Sequence, residues 1–154
     1  MSFTFTDLSS IDLNALTRLL NSVQVRTHLV DHPEFTEATT REWVASKVAL
    51  EASGKGRIKA VLKGGQLAGW CGVQPDEQGC ELALVLAPDF WGIGPAIFRQ
   101  LMIWAGELGH QTARIHLLET RKDYKTLRRM ADSVCETELM GRKFTTYELN
   151  CQVV

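Results

Sequence analysis

At 154 residues and 17.2 kDa, with 45% hydrophobic residues, the chain has the size and apolar content of one ordinary domain with a layered core. Seventeen Lys and Arg against 18 Asp and Glu leave a net charge of -1, so no global positive field draws the chain to nucleic acid or anionic lipid, and neither is expected as a partner. The 23% of charged residues is also far from the composition that leaves a chain disordered. The longest apolar stretch, residues 82–87, is much shorter than the roughly 18 residues of a membrane-spanning helix, and the first residues lack a basic-then-apolar signal pattern. A cytoplasmic protein without a membrane partner is expected. Cys71, Cys80, Cys135 and Cys151 form no C-x-x-C pair and read as reduced thiols. His28 and His32 stand at i, i+4, but Pro33 follows directly and no Glu stands between them, so no metal is expected.

In chain order, Phe3, Thr4 and Phe5 alternate as a short strand. Ser9 or Ser10 then caps a helix carrying Leu13, Leu16, Leu20 and Val23, which must stop before Pro33. Thr39 with Glu42 reads as the capping box of a second helix carrying Trp43, Val44, Val48 and Ala52, ended by Gly54 and Gly56. Strands follow at 58–62, 67–73 and 80–86, separated by Gly64-Gly65 and by the Pro75 to Gly79 turn, and they read as an antiparallel meander. Ile97, Leu101, Ala105 and Leu108 mark a third helix, with Pro95 in its first turn and Gly109 past its end. Residues 113–118 give a fifth strand, 124–131 a fourth helix, and 135–140 with 145–150 a closing hairpin across Gly141-Arg142. The order is β-α-α-β-β-β-α-β-α-β-β, with no repeat or linker, which makes residues 1–154 a single domain.

The informative segment is Leu84-Val85-Leu86-Ala87-Pro88-Asp89-Phe90-Trp91-Gly92-Ile93-Gly94-Pro95-Ala96, an apolar strand that enters a helix through a glycine-containing turn. A helix N-terminus offers unpaired N–H groups and the positive end of its dipole, and glycine lets an anion come close, so such a turn suits a pyrophosphate. Walker A fails because no Gly-Lys-Ser/Thr follows, and the dinucleotide fingerprint fails because Ile97 stands where its third glycine belongs.

The register Trp91-Gly92-Ile93-Gly94-Pro95-Ala96 resembles the acyl-CoA loop, Q/R-x-x-G-x-G/A, of the GCN5-related N-acetyltransferase (GNAT) family. Gly94 and Ala96 match, while Trp91 replaces Gln or Arg, as in the branch with Tyr-Trp-Gly-Lys-Gly that is similar to the ribosomal-protein acetyltransferases. The element order covers nearly the whole chain and is also that family's. The resemblance implies an α/β fold with a mixed, mostly antiparallel sheet of about seven strands flanked by four helices. It further implies acetyl-CoA as cosubstrate, a primary-amine acceptor (small molecule or protein), and direct acetyl transfer. A homodimer is compatible with it.

By the same resemblance, strands 4 and 5 splay, and pantetheine lies along the backbone of Leu84, Val85 and Leu86. The pyrophosphate would sit on the amides of Gly92, Ile93, Gly94 and Ala96, beside Trp91. Glu81 would be the carboxylate base, and the Leu86 N–H, freed by a bulge, the oxyanion donor. The family's proton-donating Tyr aligns with Arg128, and its Gly-Phe ending is replaced, which leaves Tyr124, one turn earlier, as the substitute acid. His116 is a further candidate on strand 5. The basic run Arg121, Lys122, Lys125, Arg128 and Arg129 offers attraction for CoA phosphates, and Asp31, Glu34 and Glu37 would favour a cationic acceptor. With the Tyr, the Gln or Arg and the Gly-Phe all missing, the alternative is a catalytically silent acyl-CoA-binding or interaction module of the same fold.

Overall fold

The computed structural model describes residues 2–22, 34–77, 79–118, 125–139 and 142–151. Seven strands form one sheet: β1 (Thr4–Thr6), β2 (Arg57–Lys63), β3 (Gln66–Asp76), β4 (Gly79–Leu86), β5 (Thr112–Leu118), β6 (Ala131–Leu139) and β7 (Arg142–Asn150). Four helices flank it among the described residues: α1 (Leu13–Asn21), α2 (Glu37–Ala52), α3 (Gly94–Glu107) and α4 (Lys125–Met130). The spatial order is β1-β2-β3-β4-β5-β7-β6, and every neighbouring pair is antiparallel except β4 with β5. The mixed seven-stranded sheet with four helices is the architecture expected from the sequence, and the meander runs through β2, β3 and β4 as anticipated.

Helix starts differ from the expectation. Asp12 caps α1 by accepting from the Ala15 N–H at 3.0 Å, while Ser9 and Ser10 lie in a preceding 3-10 turn. In α2 the cap is Thr36, which exchanges side-chain and backbone bonds with Thr39, so Thr39 is the third helical residue rather than the cap. A Thr hydroxyl reaches the N-cap N–H as well as a Glu does, which moves the start three residues earlier. At the other end of the chain, β6 begins at Ala131, directly after a single helical turn and a half in α4.

The sheet buries both faces. Ile97, Leu101 and Ala105 of α3 pack on Cys71, Val73, Leu82 and Leu86 of β3 and β4 and on Ala113, Ile115 and Leu117 of β5. On the opposite face, Leu16, Leu19 and Leu20 of α1 meet Ile58, Ala60, Trp70 and Val85, with Trp43 and Val44 of α2 partly covered. Asn21 closes the approach of α1 to α2: its amide donates to the Phe35 carbonyl and its oxygen accepts the Phe35 N–H, both at 2.7 Å. Cys71, Cys80 and Cys151 are buried free thiols and Cys135 an exposed one. Burial pushes the Cys71 thiol up to about 12.

Candidate active site

The decisive geometry is where β4 and β5 part. They pair at Cys80 with Ala113 and Glu81 with Arg114, and no further, although β4 continues to Leu86 and β5 to Leu118. Strand residues send their amides alternately to the two neighbouring strands. Because the Ala87 N–H donates to the Ala68 carbonyl of β3 at 2.8 Å, the backbone groups of Leu82, Leu84 and Leu86 face the side that β5 has left. Val85 turns its own toward β3. The β3–β4 register stays continuous from Asp76 with Gly79 to Gly69 with Leu86, so β4 carries no bulge against β3. Divergence of β5, not a bulge, leaves the Leu86 amide on the open edge. The Leu86 carbonyl is taken: the indole N–H of Trp91 donates to it at 2.9 Å. Thus Trp91, half exposed, straps the turn to the end of β4.

A 3-10 turn, Pro88–Ile93, leads from β4 into α3. Its hydrogen bonding engages the Gly94 N–H with the Trp91 carbonyl. Pro95 has no N–H, so Ala96 is the first-turn donor of α3 left without a helical partner. No side chain caps this N-terminus and no acid stands in its first turn. A Cβ on Gly92 would meet nothing within 4 Å, and one on Gly94 only Leu86 Cδ1 at 3.8 Å. Gly94 has ordinary helical angles, φ -50 and ψ -50. Neither packing nor conformation requires these glycines, and the space they leave lies outside the protein's own contacts. An anion lying against the backbone fits it.

Across the mouth of this gap, on the α1–α2 face, runs a row of polar groups. Gln74, Glu81 and Arg114 are register partners on β3, β4 and β5. His116 follows Arg114 by two residues and so shares its face, just past the last β4–β5 pair. Lys47 of α2 donates to the Gln74 side-chain oxygen and lies 5.6 and 5.5 Å from the rings of Trp43 and Trp70. Burial lowers the Lys47 pKa, with the Glu81 charge opposing. Arg114, 7% exposed, is held by Asp76 at 2.5 Å and Glu148 at 3.9 Å. The His116 Nδ1 is 2.7 Å from Thr146 Oγ1, and burial lowers the imidazole pKa, with Glu81 again opposing.

The sequence-derived residues Leu84, Leu86, Trp91, Gly92, Ile93, Gly94 and Ala96 therefore lie along one edge and turn, with Glu81 at its base. Tyr124, Arg121, Lys122, Asp31, His28 and His32 fall outside the described residues. Arg128 and Arg129 are exposed on α4, and Glu37 pairs with Arg41 at 3.2 Å on the surface of α2. Sequence reasoning missed Lys47, Gln74 and Thr146, which lies against His116. The alternation in β5, where Ala113, Ile115 and Leu117 enter the core and Arg114 and His116 do not, is what sets His116 on the polar face. Among the described residues no cluster of His, Cys, Asp and Glu suited to a metal is present, and no helix is long and apolar enough to cross a membrane.

The sequence profile of the acetyltransferase (GNAT) domain matches residues 3–122. The chain belongs to the GNAT family. No curated protein sequence matches it significantly. Among solved structures, an N-acetyltransferase from Staphylococcus aureus Mu50 superposes with a TM-score of 0.76 at 14% identity, over 99% of this chain and 100% of that one. An acetyltransferase from Salmonella typhimurium that modifies the N-terminal serine of the 50S ribosomal subunit protein L7/L12 gives 0.70 at 17%, over 96% and 93%. The PaiA N-acetyltransferase from Thermoplasma acidophilum, in complex with coenzyme A, gives 0.64 at 15%, over 97% and 98%. These superpositions establish a shared fold.

Proposed function

We propose that the domain is an acetyl-CoA-dependent N-acetyltransferase that moves the acetyl group to a primary amine by direct attack in the gap between β4 and β5. The observation that carries this reading is the early end of β4–β5 pairing, which leaves the Leu84 and Leu86 amides on an open edge leading to the uncapped N-terminus of α3. Pantetheine is itself a chain of amides, and its hydrogen bonds would replace those that β5 no longer makes. The pyrophosphate would lie against Ala96 and the helix dipole, in the room left by Gly92 and Gly94. Its neighbour with coenzyme A bound supports the same occupant.

Acyl transfer needs a neutral amine, a stabilised oxyanion and a proton for the departing thiolate. In this reading the Leu86 N–H serves the oxyanion. Glu81 draws in the ammonium and disposes of its proton, directly or through a neighbour. Tyr124 remains the proposed donor to the thiolate. A silent acyl-CoA-binding module is favoured by the exposed Arg128 where the family has its Tyr, by Trp91 in place of Gln or Arg and by the replaced Gly-Phe. Calorimetry with acetyl-CoA tests the gap, and thiol release over a panel of primary amines tests the chemistry. Acetyl-CoA binding with no release for any amine would leave the silent module. No binding would remove both readings.

A further inference from the structure

We propose that Nε2 of His116 is the immediate proton acceptor for the incoming amine, held in the required tautomer by a chain of two threonine hydroxyls. The inference rests on the acetyl-transfer reading above and adds to it the route of the proton.

The hydrogen bonds around Thr146 point to one tautomer. The Thr146 hydroxyl has one hydrogen and gives it to Thr137 Oγ1 at 2.8 Å. While it donates there it accepts from His116, whose Nδ1, 2.7 Å away, then carries the ring hydrogen. That leaves the lone pair on Nε2. Thr146 is 4% exposed and the ring stands edge-on to Phe144 at 6.4 Å, so the imidazole is fixed from β7. Its position on β5, one step beyond the Glu81–Arg114 pair, is the apex where the two strands part.

The charged and titratable groups facing it are Glu81 from β4, Asp76 from β3, Arg114 on its own strand, Glu148 from β7 and Lys47 beyond Glu81 from α2. Burial outweighs the two carboxylates that oppose it, so the ring is neutral at neutral pH. In the reaction, Nε2 takes one proton from the ammonium, and Glu81 faces the imidazolium that results. The neutral nitrogen attacks the thioester carbonyl carbon, so a C–N bond forms and the C–S bond breaks. The second nitrogen proton balances the one delivered to the thiolate, and the imidazolium returns its proton to solvent.

The first test uses the free protein. Long-range 15N–1H spectra, with the His116 signal assigned by its loss in His116→Gln, should show the Nδ1–H tautomer and a pKa below 6.5. Thr146→Val should shift the tautomer toward Nε2–H. An Nε2–H ring in the parent, a pKa above the ordinary value, or a tautomer indifferent to Thr146→Val overturns the proposal. The second test is thiol release from acetyl-CoA over alkylamines, arylalkylamines and peptides with a free α-amine or lysine. His116→Gln should lower kcat roughly 100-fold or more and abolish the acid limb of its pH profile, while calorimetry gives acetyl-CoA affinity within about twofold of the parent. Should Glu81→Gln remove that limb while His116→Gln keeps it, the carboxylate is the base and His116 is not. A parent that neither binds acetyl-CoA nor releases thiol overturns the acetyl-transfer reading, and the proposed route with it, even if the spectra show the expected tautomer.

Discussion

Gly94→Asp separates the fold's needs from those of an anionic visitor. The new Cβ meets only Leu86 Cδ1 at 3.8 Å, and the backbone is already helical, so the fold should accept the side chain. An acid in the first turn of a helix contributes about 0.3–1 kcal/mol of stability, so the melting temperature should hold or rise. Binding should move the other way. Two unit charges about 4 Å apart interact with about 1 kcal/mol in water, so a carboxylate beside the two charges of a pyrophosphate costs roughly 2 kcal/mol, or about 30-fold in Kd. The loss grows as the effective dielectric falls and shrinks with added salt. Calorimetry with acetyl-CoA on the parent, Gly94→Asp and the neutral, similarly shaped Gly94→Asn measures it. Undiminished affinity in a folded Gly94→Asp protein would refute the placement of the pyrophosphate, and an equal loss in Gly94→Asn would assign the effect to bulk rather than charge.

Gly69→Ala should destabilise the protein by about 1–3 kcal/mol in urea unfolding, because its Cβ would collide with the Val85 carbonyl oxygen and stand 2.9 Å from Leu86 Cα; an unchanged midpoint would contradict the close approach of β3 to β4. Trp91→Phe keeps an aromatic ring but loses the N–H bound to the Leu86 carbonyl, which should cost about 0.5–1.5 kcal/mol, and equal stability would show that the strap contributes nothing. Burial holds the Lys47 pKa below 10.5, so the unfolded chain binds that proton more tightly and stability should rise as pH climbs from the lowered native value toward 10.5. Lys47→Met should remove that rise, and parallel melting curves for the two proteins across alkaline pH would contradict it.

The strands and α3 were legible because their signals are local: alternation in β2 to β5, and Ile97, Leu101 and Ala105 at helical spacing between Pro95 and Gly109. Helix starts were less so, since Asp12 and Thr36 compete with Ser9, Ser10 and Thr39 on equal propensity and only the observed bonds choose among them. The acyl-CoA turn was readable as a motif, but its hydrogen bonding was not. That the Gly94 amide serves the Trp91 carbonyl, and that the Trp91 indole serves the Leu86 carbonyl, depends on a 3-10 geometry that glycine spacing does not encode. The polar row from Lys47 through Gln74 and Glu81 to His116 and Thr146 was invisible for a different reason. Its members come from α2, β3, β4, β5 and β7, and sheet register alone brings them together.

Amide hydrogen exchange on the parent protein with and without acetyl-CoA tests the central claim most directly. Ligand should slow exchange at Leu84 and Leu86 on the open edge of β4 and at Ala96 in the first turn of α3, and leave Val85, already turned toward β3, little changed. Binding that protects other segments and leaves those three amides untouched would contradict the assignment of the gap between β4 and β5 as the acyl-CoA site.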